Sequence, residues 1–402
     1  MNDIAPQAPI YVTAYTLTSA LGVGNQAALQ ALRTGRGGLR EVPLRAGGRT
    51  WLGLIDGAAD EPVPPALAPY DCRAHRILGT ALAQDDFASA VRRAARRYGA
   101  QRVACFVGTI ASGLAELESR YVDYDPAHGD LGPDVRVRHT AHLASATEYC
   151  CRVLGIDGPA ATISTACSSS AKVFASAYRY LQAGLCDAAV VAGVDCANEG
   201  FIYGFRSLGL LSEAPCRPWD KARDGISIGE AAGFALLERV PYETGQEAIA
   251  LTGFGESSDA YHMTAPHPEG AGARAAIELA LQRAGLDADE IDYVNLHGSG
   301  TPSNDSAEDA AIAAVFGDGC LCSSTKGWTG HTQGAAGITE AVISFLSISA
   351  GLLPANLNAR EIDPALCTPV VLETLQRPLK RVLSNSFGFG GNNCALVFEA
   401  LA

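Results

Sequence analysis

Three short apolar runs separated by helical patterns constrain the fold of this chain more than any other feature of its sequence. The runs cover residues 101–107, 188–194 and 292–296, and each has the length of one buried strand. Residues 171–181 repeat apolar side chains at helical spacing and lead to Gly184, a residue typical of a helix C-terminus. Alternating strands and helices predict an α/β fold with a mostly parallel sheet covered on both faces.

The length of the chain and an internal similarity indicate two related halves. A chain of 402 residues exceeds what a single hydrophobic core usually organises. Residues 165–184 and 325–351 both follow a short apolar run and a serine, and both end in an apolar helix and an Ala-Gly pair. Polar residues and a glycine interrupt two apolar runs at 240–250. We therefore expect an N-terminal half over residues 1–245 and a C-terminal half over residues 246–402.

Charge and composition exclude several classes of partner. A formal net charge of −13 opposes attraction to nucleic acid and to an anionic membrane surface. No apolar stretch approaches the ~18 residues that cross a bilayer, and the first residues lack the basic start of an export signal. The twelve cysteines are scattered without zinc-ligand spacing. We expect a cytoplasmic protein with reduced thiols, without a nucleic-acid partner, a membrane partner or a metal.

Cys167 stands where a β-rich run ends and the helix of residues 171–181 begins. The free N–H groups and positive dipole at a helix start stabilise a thiolate, so we expect the cysteine pKa to fall from ~8.5 toward ~3.5–7.5. The same N–H groups can bind a thioester oxygen as it becomes an oxyanion. This position predicts a nucleophile; a buried structural cysteine is the competing interpretation.

Two histidines occupy similar turns. His297 follows the apolar run 292–296, and His331 precedes an apolar helix in a glycine-rich segment, so both are candidate catalytic residues, with a structural histidine as the alternative. Lys326 lies five residues before His331, and Asp305 and Glu308 follow His297. We expect these three charged residues to form a structural ion-pair network.

A glycine-rich loop lies near the C-terminus. Residues 384–393 must bend sharply at Gly388, Gly390 and Gly391, which flank Phe389. A simple turn would explain these glycines. Glycines on both sides of an aromatic ring also suit a mobile gate, with Phe389 as the moving part.

Together these motifs make the chain resemble the elongating β-ketoacyl-acyl carrier protein synthases of bacterial fatty acid and type II polyketide synthesis, in the thiolase superfamily. The resemblance covers nearly the whole chain, and it implies a five-layer αβαβα thiolase-like fold with two pseudo-symmetric halves, working as a dimer. The matching motifs, in family order, are Thr165-Ala-Cys-Ser-Ser, residues 217–225, residues 257–264, Asn295-Leu-His-Gly, Ser324-Thr-Lys with Gly330-His, and residues 385–391.

The resemblance implies a role for each candidate. Cys167 would hold an acyl group, and His297 and His331 would promote decarboxylation of a malonyl unit and stabilise the enolate that attacks the acyl-cysteine. The backbone N–H groups of Cys167 and Phe389 would form an oxyanion hole, and Lys326 and Glu308 resemble a supporting pair. The products would be CO2 and a β-ketoacyl carrier protein two carbons longer.

The resemblance also implies a substrate path and no cofactor, because the carrier protein supplies the phosphopantetheine. Thr264, Ser299 and Thr301 match positions that bind the pantetheine arm. Phe387, in the glycine-rich motif of residues 385–391, is a further candidate for substrate binding. Ala111 stands where the family often has a bulky residue that limits the acyl pocket. The chain departs from fatty acid synthases at Gly300 and Asn392, which leaves open a polyene pathway such as that of an aryl polyene pigment.

The implied partners are an acyl carrier protein and a second ketosynthase-like subunit. Arg73 and Arg76 resemble a docking helix for the acidic carrier, and Arg206 is a further candidate, although solvated helix faces also carry arginines. The dimer is either a homodimer or a heterodimer with a chain-length-type subunit. The alternative function is that of such a noncatalytic subunit. A thiolase or an initiating ketosynthase would use a Cys-His-Cys or a Cys-His-Asn set instead.

Overall fold

The computed structural model describes residues 6–45, 47–57, 59–122, 124–127, 129, 131, 135–240 and 248–401. The strands are β1 Ile10–Ser19, β2 Gly22–Val23, β3 Arg40–Pro43, β4 Arg49–Gly53, β5 Val103–Gly108, β6 Ala160–Ile163, β7 Ala188–Asp195, β8 Ile228–Gly229, β9 Ala231–Glu238, β10 Ala248–Ser258, β11 Tyr293–Asn295, β12 Leu321–Ser323, β13 Leu352–Leu353, β14 Leu375–Gln376, β15 Arg381–Gly388 and β16 Asn392–Leu401.

The α-helices divide between the connections of these strands. They are α1 Asn25–Thr34, α2 Arg73–Leu82, α3 Phe87–Tyr98, α4 Leu114–Val122, α5 Ala144–Leu154, α6 Ser169–Gln182, α7 Glu199–Ser207, α8 Ala271–Ala284, α9 Pro302–Phe316, α10 Lys326–Thr329 and α11 Ala336–Ala350. None of the helices in the described ranges is long and apolar enough to cross a membrane. The three predicted strands and the predicted helix correspond to β5, β7, β11 and α6, with ends within two residues of the prediction.

The main sheet consists of two half-sheets with the same strand order. One half-sheet runs β1-β9-β7-β5-β6 and the other β10-β16-β15-β11-β12, and β1 joins β10 where Ile10 pairs with Leu251. In both half-sheets the first two pairings are antiparallel and the last two are parallel. The matching order and directions make the two halves pseudo-symmetric.

This arrangement corrects the prediction of a mostly parallel sheet. Strands β9 and β16 run antiparallel to both of their neighbours. Both strands are apolar nearly throughout, as parallel central strands are, so their direction is not visible in their sequence. The predicted boundary at residues 245 and 246 lies outside the described residues.

Helices α6 and α11 form the central layer between the half-sheets. They occupy equivalent connections, β6 to β7 and β12 to β15, and belong to one hydrophobic core. A Cβ on Gly337 would lie 2.4 Å from the backbone nitrogen of Ala171, so the two helices approach closely at their first turns. The outer layers are α2, α3 and α5 on one half-sheet and α8 and α9 on the other. The result is five layers, with the N-termini of both central helices at the same end of the molecule.

Candidate active site

Cys167 lies in a sharp turn between β6 and α6. Ala166 has a φ of 54°, which is unusual for a residue with a side chain, and the turn is held because the Ser169 N–H donates to the Ala166 carbonyl at 3.1 Å. The Ser169 hydroxyl accepts a second bond from the Thr165 N–H at 2.9 Å. This turn places Cys167 two residues before the first residue of α6, Ser169.

The C-terminal glycine-rich loop passes directly over this turn. A Cβ on Gly388 would lie 2.8 Å from the Thr165 carbonyl oxygen and 3.1 Å from the Cys167 nitrogen, so no larger residue fits there without a shift. The close approach brings the backbone N–H of Phe389 to the Cys167 sulfur, where it and the N–H of Cys167 itself both favour the thiolate. Two backbone donors therefore converge on the reactive atom.

The thiol pKa differs from the sequence-based expectation. Burial raises the pKa of Cys167 to about 11, against the opposing effects of the Lys326 charge and the Phe389 N–H. We expected the helix start to lower this pKa. Removal of the sulfur from water outweighs that effect, because a buried anion loses its hydration.

His331 is fixed by two backbone contacts. The backbone N–H of His331 donates to the Ser227 carbonyl at 2.7 Å, and the backbone N–H of Gln333 donates to the Nδ1 atom of the His331 ring at 3.1 Å. Because Nδ1 accepts a hydrogen bond, the ring proton resides on Nε2. Nε2 lies 3.1 Å from Cys167 Sγ, so His331 presents an N–H group to the sulfur.

His297 lies beside His331, and a ring nitrogen of each histidine is within 4.8 Å of the Cys167 sulfur. The two ring centroids are 5.4 Å apart at an interplanar angle of 81°. Lys326 Nζ lies 3.3 Å from His297 Nδ1 and donates to it, which leaves the proton on Nε2 here too. Burial and the Lys326 charge hold the pKa of both histidines well below the usual value, so both rings are neutral.

Lys326 forms its ion pair with Glu340, which corrects the predicted pairing with Glu308. Lys326 and Glu340 are both almost fully buried and in direct contact. Glu308 instead accepts the N–H groups of His297 at 2.8 Å and Gly298 at 2.7 Å. Glu340 is the one acid in the otherwise uncharged helix α11. The sequence did offer a signal for Glu340, because a single acid in an apolar helix that is expected to be buried needs a partner.

Asp305 stabilises the backbone of the turn that follows His297. Its carboxylate accepts the N–H groups of Trp219 and Gly300, both at 3.1 Å, and lies 3.6 Å from Arg223 Nε. Burial raises its pKa to about 6. The predicted network of Asp305, Glu308 and Lys326 is thus three separate anchors for the turns that carry the histidines.

A single cavity leads to Cys167 and both histidines. Of the predicted substrate residues, those that line it are Thr264, Ser299, Thr301, Phe387 and Phe389. The centroids of the Phe389 and Phe205 rings, which both line the cavity, are 5.8 Å apart, and the gate role of Phe389 stays a prediction. The lining residues that the sequence reasoning missed are Phe205, Leu210, Ile226, Asp259, Ala265, Pro266, Ser303 and Asn304.

Four of the residues predicted for the acyl pocket and for carrier docking lie away from this cavity. Among the described residues, Ala111 does not line it; the turn of Ala111 packs behind Gly334, where a Cβ would lie 2.9 Å from the Ile110 nitrogen. Arg73 forms a two-bond ion pair with the buried Glu230, and Arg76 forms one with Asp71. Arg206 is exposed on α7, next to Phe205 in sequence.

The Cys167, His297 and His331 side chains also bring potential metal ligands within 4.8 Å of one another. Their chemistry does not suit a metal ion. His331 directs a protonated nitrogen at Cys167, and His297 Nδ1 is occupied by the Lys326 ammonium group, whereas a metal requires free unprotonated nitrogens. The Lys326 ammonium group adds a positive charge beside the same centre. The absence of a metal cofactor stays a prediction that this donor set supports.

Comparison with known proteins gives a consistent family. The model of the β-ketoacyl synthase N-terminal domain matches residues 79–241, and that of the C-terminal domain matches residues 249–360. The 3-oxoacyl-[acyl-carrier-protein] synthase 2 of Vibrio harveyi is 36% identical over 263 residues, which are 62% of this chain and 63% of the relative. That of Synechocystis sp. is 34% identical over 315 residues, 75% of each chain. The chain thus spans about three fifths of the length of the first curated relatives it matches.

Two solved structures extend the comparison over the whole fold. The ketosynthase (ApeO) in complex with its chain length factor (ApeC) from Xenorhabdus doucetiae is 40% identical, covers 98% of each chain and has a TM-score of 0.89. The ishigamide ketosynthase/chain length factor is 27% identical, covers 98% of this chain and 100% of that chain, and has a TM-score of 0.87. The five layers and paired half-sheets are a thiolase-like α/β fold, and the chain belongs to the β-ketoacyl synthase family.

Proposed function

We propose that this chain is a β-ketoacyl-[acyl-carrier-protein] synthase, an acyltransferase that condenses an acyl group held on Cys167 with malonyl carrier protein. The observation that carries the proposal is the pair of neutral imidazoles beside Cys167: His331 directs its Nε2–H at the sulfur, a ring nitrogen of His297 lies within 4.8 Å, and each Nδ1 is occupied by a donor. Two hydrogen-bond donors and no buried base at the reaction centre suit a reaction in which negative charge develops on a thioester oxygen.

In the first step the Cys167 sulfur attacks an acyl thioester on the carrier. A bond forms between sulfur and the acyl carbon, and the carrier thiol leaves with the cysteine proton. The N–H groups of Cys167 and Phe389 bind the oxyanion of the tetrahedral intermediate. The Lys326 charge and the start of α6 favour the developing thiolate, which offsets the burial that raises the pKa of the resting thiol.

In the second step the malonyl thioester loses CO2 and becomes an enolate. The Nε2–H groups of His297 and His331 donate to the enolate oxygen, and the enolate carbon attacks the acyl-cysteine. The bond between the acyl carbon and the cysteine sulfur breaks, and the thiolate takes up one proton from solvent. The products are CO2 and a β-ketoacyl carrier protein two carbons longer. No cofactor takes part, because both reactive thioesters arrive on the phosphopantetheine arm of the carrier, along Thr264, Ser299 and Thr301.

We further propose that the chain is the catalytic half of a heterodimer with a chain-length-type subunit, in a specialised polyene or polyketide pathway. A solved relative that is 40% identical over 98% of the chain is a ketosynthase in complex with its chain length factor. The complete Cys-His-His set favours the catalytic half over the noncatalytic one.

We also propose that the protein works in the cytoplasm. All twelve cysteines are free thiols, which suits that reducing compartment.

The test is intact mass spectrometry of the purified chain with malonyl carrier protein and a panel of acyl carrier proteins. Cys167→Ala is compared with Cys367→Ala, which removes an exposed thiol outside the cavity. An acyl mass on every protein except Cys167→Ala, with a product two carbons longer, is the expected result. Each reaction is run with and without a co-purified chain-length-type subunit. Failure to load an acyl group in both formats would overturn the proposal in favour of a noncatalytic subunit.

A further inference from the structure

We propose that Asp195 is a positioning residue for His331, joining the turn that follows His331 to the turn at residues 109–111. The proposal deepens the proposed function, since it assigns a residue that orients one of the two histidine donors. Asp195 touches neither Cys167 nor either histidine, so its effect must pass through the backbone of the His331 turn.

The Asp195 carboxylate is a completely buried acceptor for four donors. It lies at the end of β7, next to the end of the parallel strand β5, and it accepts the hydroxyl of Thr109 at 2.7 Å. It also accepts the N–H groups of Ile110 at 3.1 Å and Ala111 at 2.9 Å. Its remaining contact is with the N–H of Gly334, which donates to Oδ2 at 2.7 Å. One carboxylate therefore holds two turns from different halves of the chain.

The Gly334 contact leaves no freedom at this point of the chain. A Cβ on Gly334 would lie 2.6 Å from the Asp195 oxygen and 2.9 Å from the Ile110 nitrogen. The preceding residue, Gln333, has a φ of 57°, a left-handed conformation that a residue with a side chain seldom adopts. The Gln333 side chain is anchored by its Nε2 atom, which donates to the Cys196 carbonyl at 3.1 Å. Neighbouring residues of β7 and its continuation thus hold both Gln333 and Gly334.

The consequence appears at His331. The N–H of Gln333 donates to His331 Nδ1, and this contact places the ring proton on Nε2, opposite the Cys167 sulfur. Asp195 fixes the next peptide group and so keeps the strained Gln333 backbone in the conformation that makes the donation. Without the carboxylate, the turn can relax, and the His331 proton is no longer confined to Nε2.

Asp309 provides a matched control for a purely structural effect. It is also a buried carboxylate, and it accepts the N–H groups of Cys367 at 3.0 Å and Thr368 at 2.7 Å. Its contacts do not include the turns that carry Cys167, His297 or His331. Asp309→Asn therefore reproduces the loss of a buried carboxylate without the connection to the site.

The first measurement is nitrogen NMR of the histidine rings in the full-length protein at pH 8. Burial raises the pKa of Asp195 to about 6, so its carboxylate is ionised at this pH. The His331 signal is identified by its loss in His331→Gln. We expect the unmodified chain and Asp309→Asn to show a protonated Nε2 and an unprotonated Nδ1 at His331. In Asp195→Asn and Asp195→Glu, the chemical shifts of the two His331 ring nitrogens should move toward each other, because the proton then exchanges between Nδ1 and Nε2. An unchanged His331 signal in both Asp195 variants would overturn the proposal, and this readout needs no substrate.

The second measurement separates kcat from KM with malonyl carrier protein as substrate. Asp195→Asn should lower kcat by about 10-fold or more, less than the roughly 100- to 1,000-fold loss that follows removal of an oxyanion donor itself. KM should stay within about twofold, because the pantetheine contacts are untouched. A rise in KM without a fall in kcat, or an equal fall in Asp309→Asn, would contradict the assignment. The assay is run with and without the chain-length-type subunit, and inactivity of the unmodified chain in both formats would count against the proposed function alone.

Discussion

His331 Nε2 lies 3.1 Å from Cys167 Sγ, while the other nitrogen of the same ring accepts the Gln333 N–H. His331 is therefore a donor to the sulfur and not a base that removes its proton. Since the thiol is also buried, Cys167 rests as a neutral thiol that becomes charged only as the thioester is attacked. This relationship distinguishes the site from one in which a histidine holds a preformed thiolate.

The protonation state of Cys167 predicts the pH dependence of its alkylation. With a pKa of about 11, the thiolate fraction, and with it the rate of modification by iodoacetamide, should rise about tenfold for each pH unit between 7 and 9. Peptide mass spectrometry at Cys167 gives the rate separately from that of the exposed Cys367. A rate that reaches a plateau before pH 8 and stays constant at higher pH would show that the thiol pKa is lowered instead.

The Lys326–Glu340 pair predicts a loss of stability that can be separated from the loss of activity. Lys326→Met leaves the Glu340 carboxylate buried without its cation, which should lower the free energy of unfolding by about 3–5 kcal/mol. The double variant Lys326→Met/Glu340→Leu should regain most of that stability in urea denaturation. It should still lack condensation activity, because His297 Nδ1 has lost its donor.

An exposed ion pair serves as the control for that experiment. Lys221 and Glu361 are 2.9 Å apart and mostly exposed, so Lys221→Met should change the free energy of unfolding by less than about 1 kcal/mol. If the double variant at positions 326 and 340 regained activity along with stability, Lys326 would have only a structural role.

The two histidines should be needed for condensation but not for acyl loading. His297→Ala and His331→Ala each remove one donor to the enolate oxygen, which should lower condensation turnover by about 100-fold or more. The Cys167 thiol and the two backbone donors remain in both variants. Single-turnover assays should therefore still detect acyl-Cys167, and the exposed His142 provides a control position. Loss of acyl loading in either variant would place that histidine in the first step.

The contact between Phe205 and Phe389 predicts a coupled gate. Each change to alanine opens the cavity to water and should speed hydrolysis of the acyl-Cys167 thioester, measured as loss of the acyl mass over time. The double variant should hydrolyse no faster than the faster single variant, since both substitutions remove the same ring contact. Additive effects would mean that the two rings do not act together.

The arginines proposed for carrier docking should behave differently from one another. Arg206 is exposed on α7 and follows Phe205 in sequence, so Arg206→Glu should raise KM for the acidic carrier severalfold, more at low salt than at high salt, with an unchanged melting temperature. Arg73→Glu places a second carboxylate against the buried Glu230 and should lower the melting temperature. An unchanged KM in Arg206→Glu would remove Arg206 from the docking surface.

The sequence by itself determined the elements that carry the chemistry. Cys167 was recognisable because a β-rich run changes to helical spacing at that residue, and His297 because it directly follows a buried strand. These are local signals that mark each residue separately, because β6 and β11 belong to different half-sheets. Family motifs at their usual spacing added the supporting residues and the five-layer fold.

The tertiary structure alone decided which charges meet and how each group titrates. Lys326 pairs with Glu340 from α11, and not with Glu308, because the central helix passes below the lysine while Glu308 is already occupied by two backbone N–H groups. The pKa of Cys167 rises because the packed turns around it exclude water. Asp195 links two turns that are more than 200 residues apart in sequence. Burial and long-range contacts depend on how layers pack, and no local pattern in the chain encodes them.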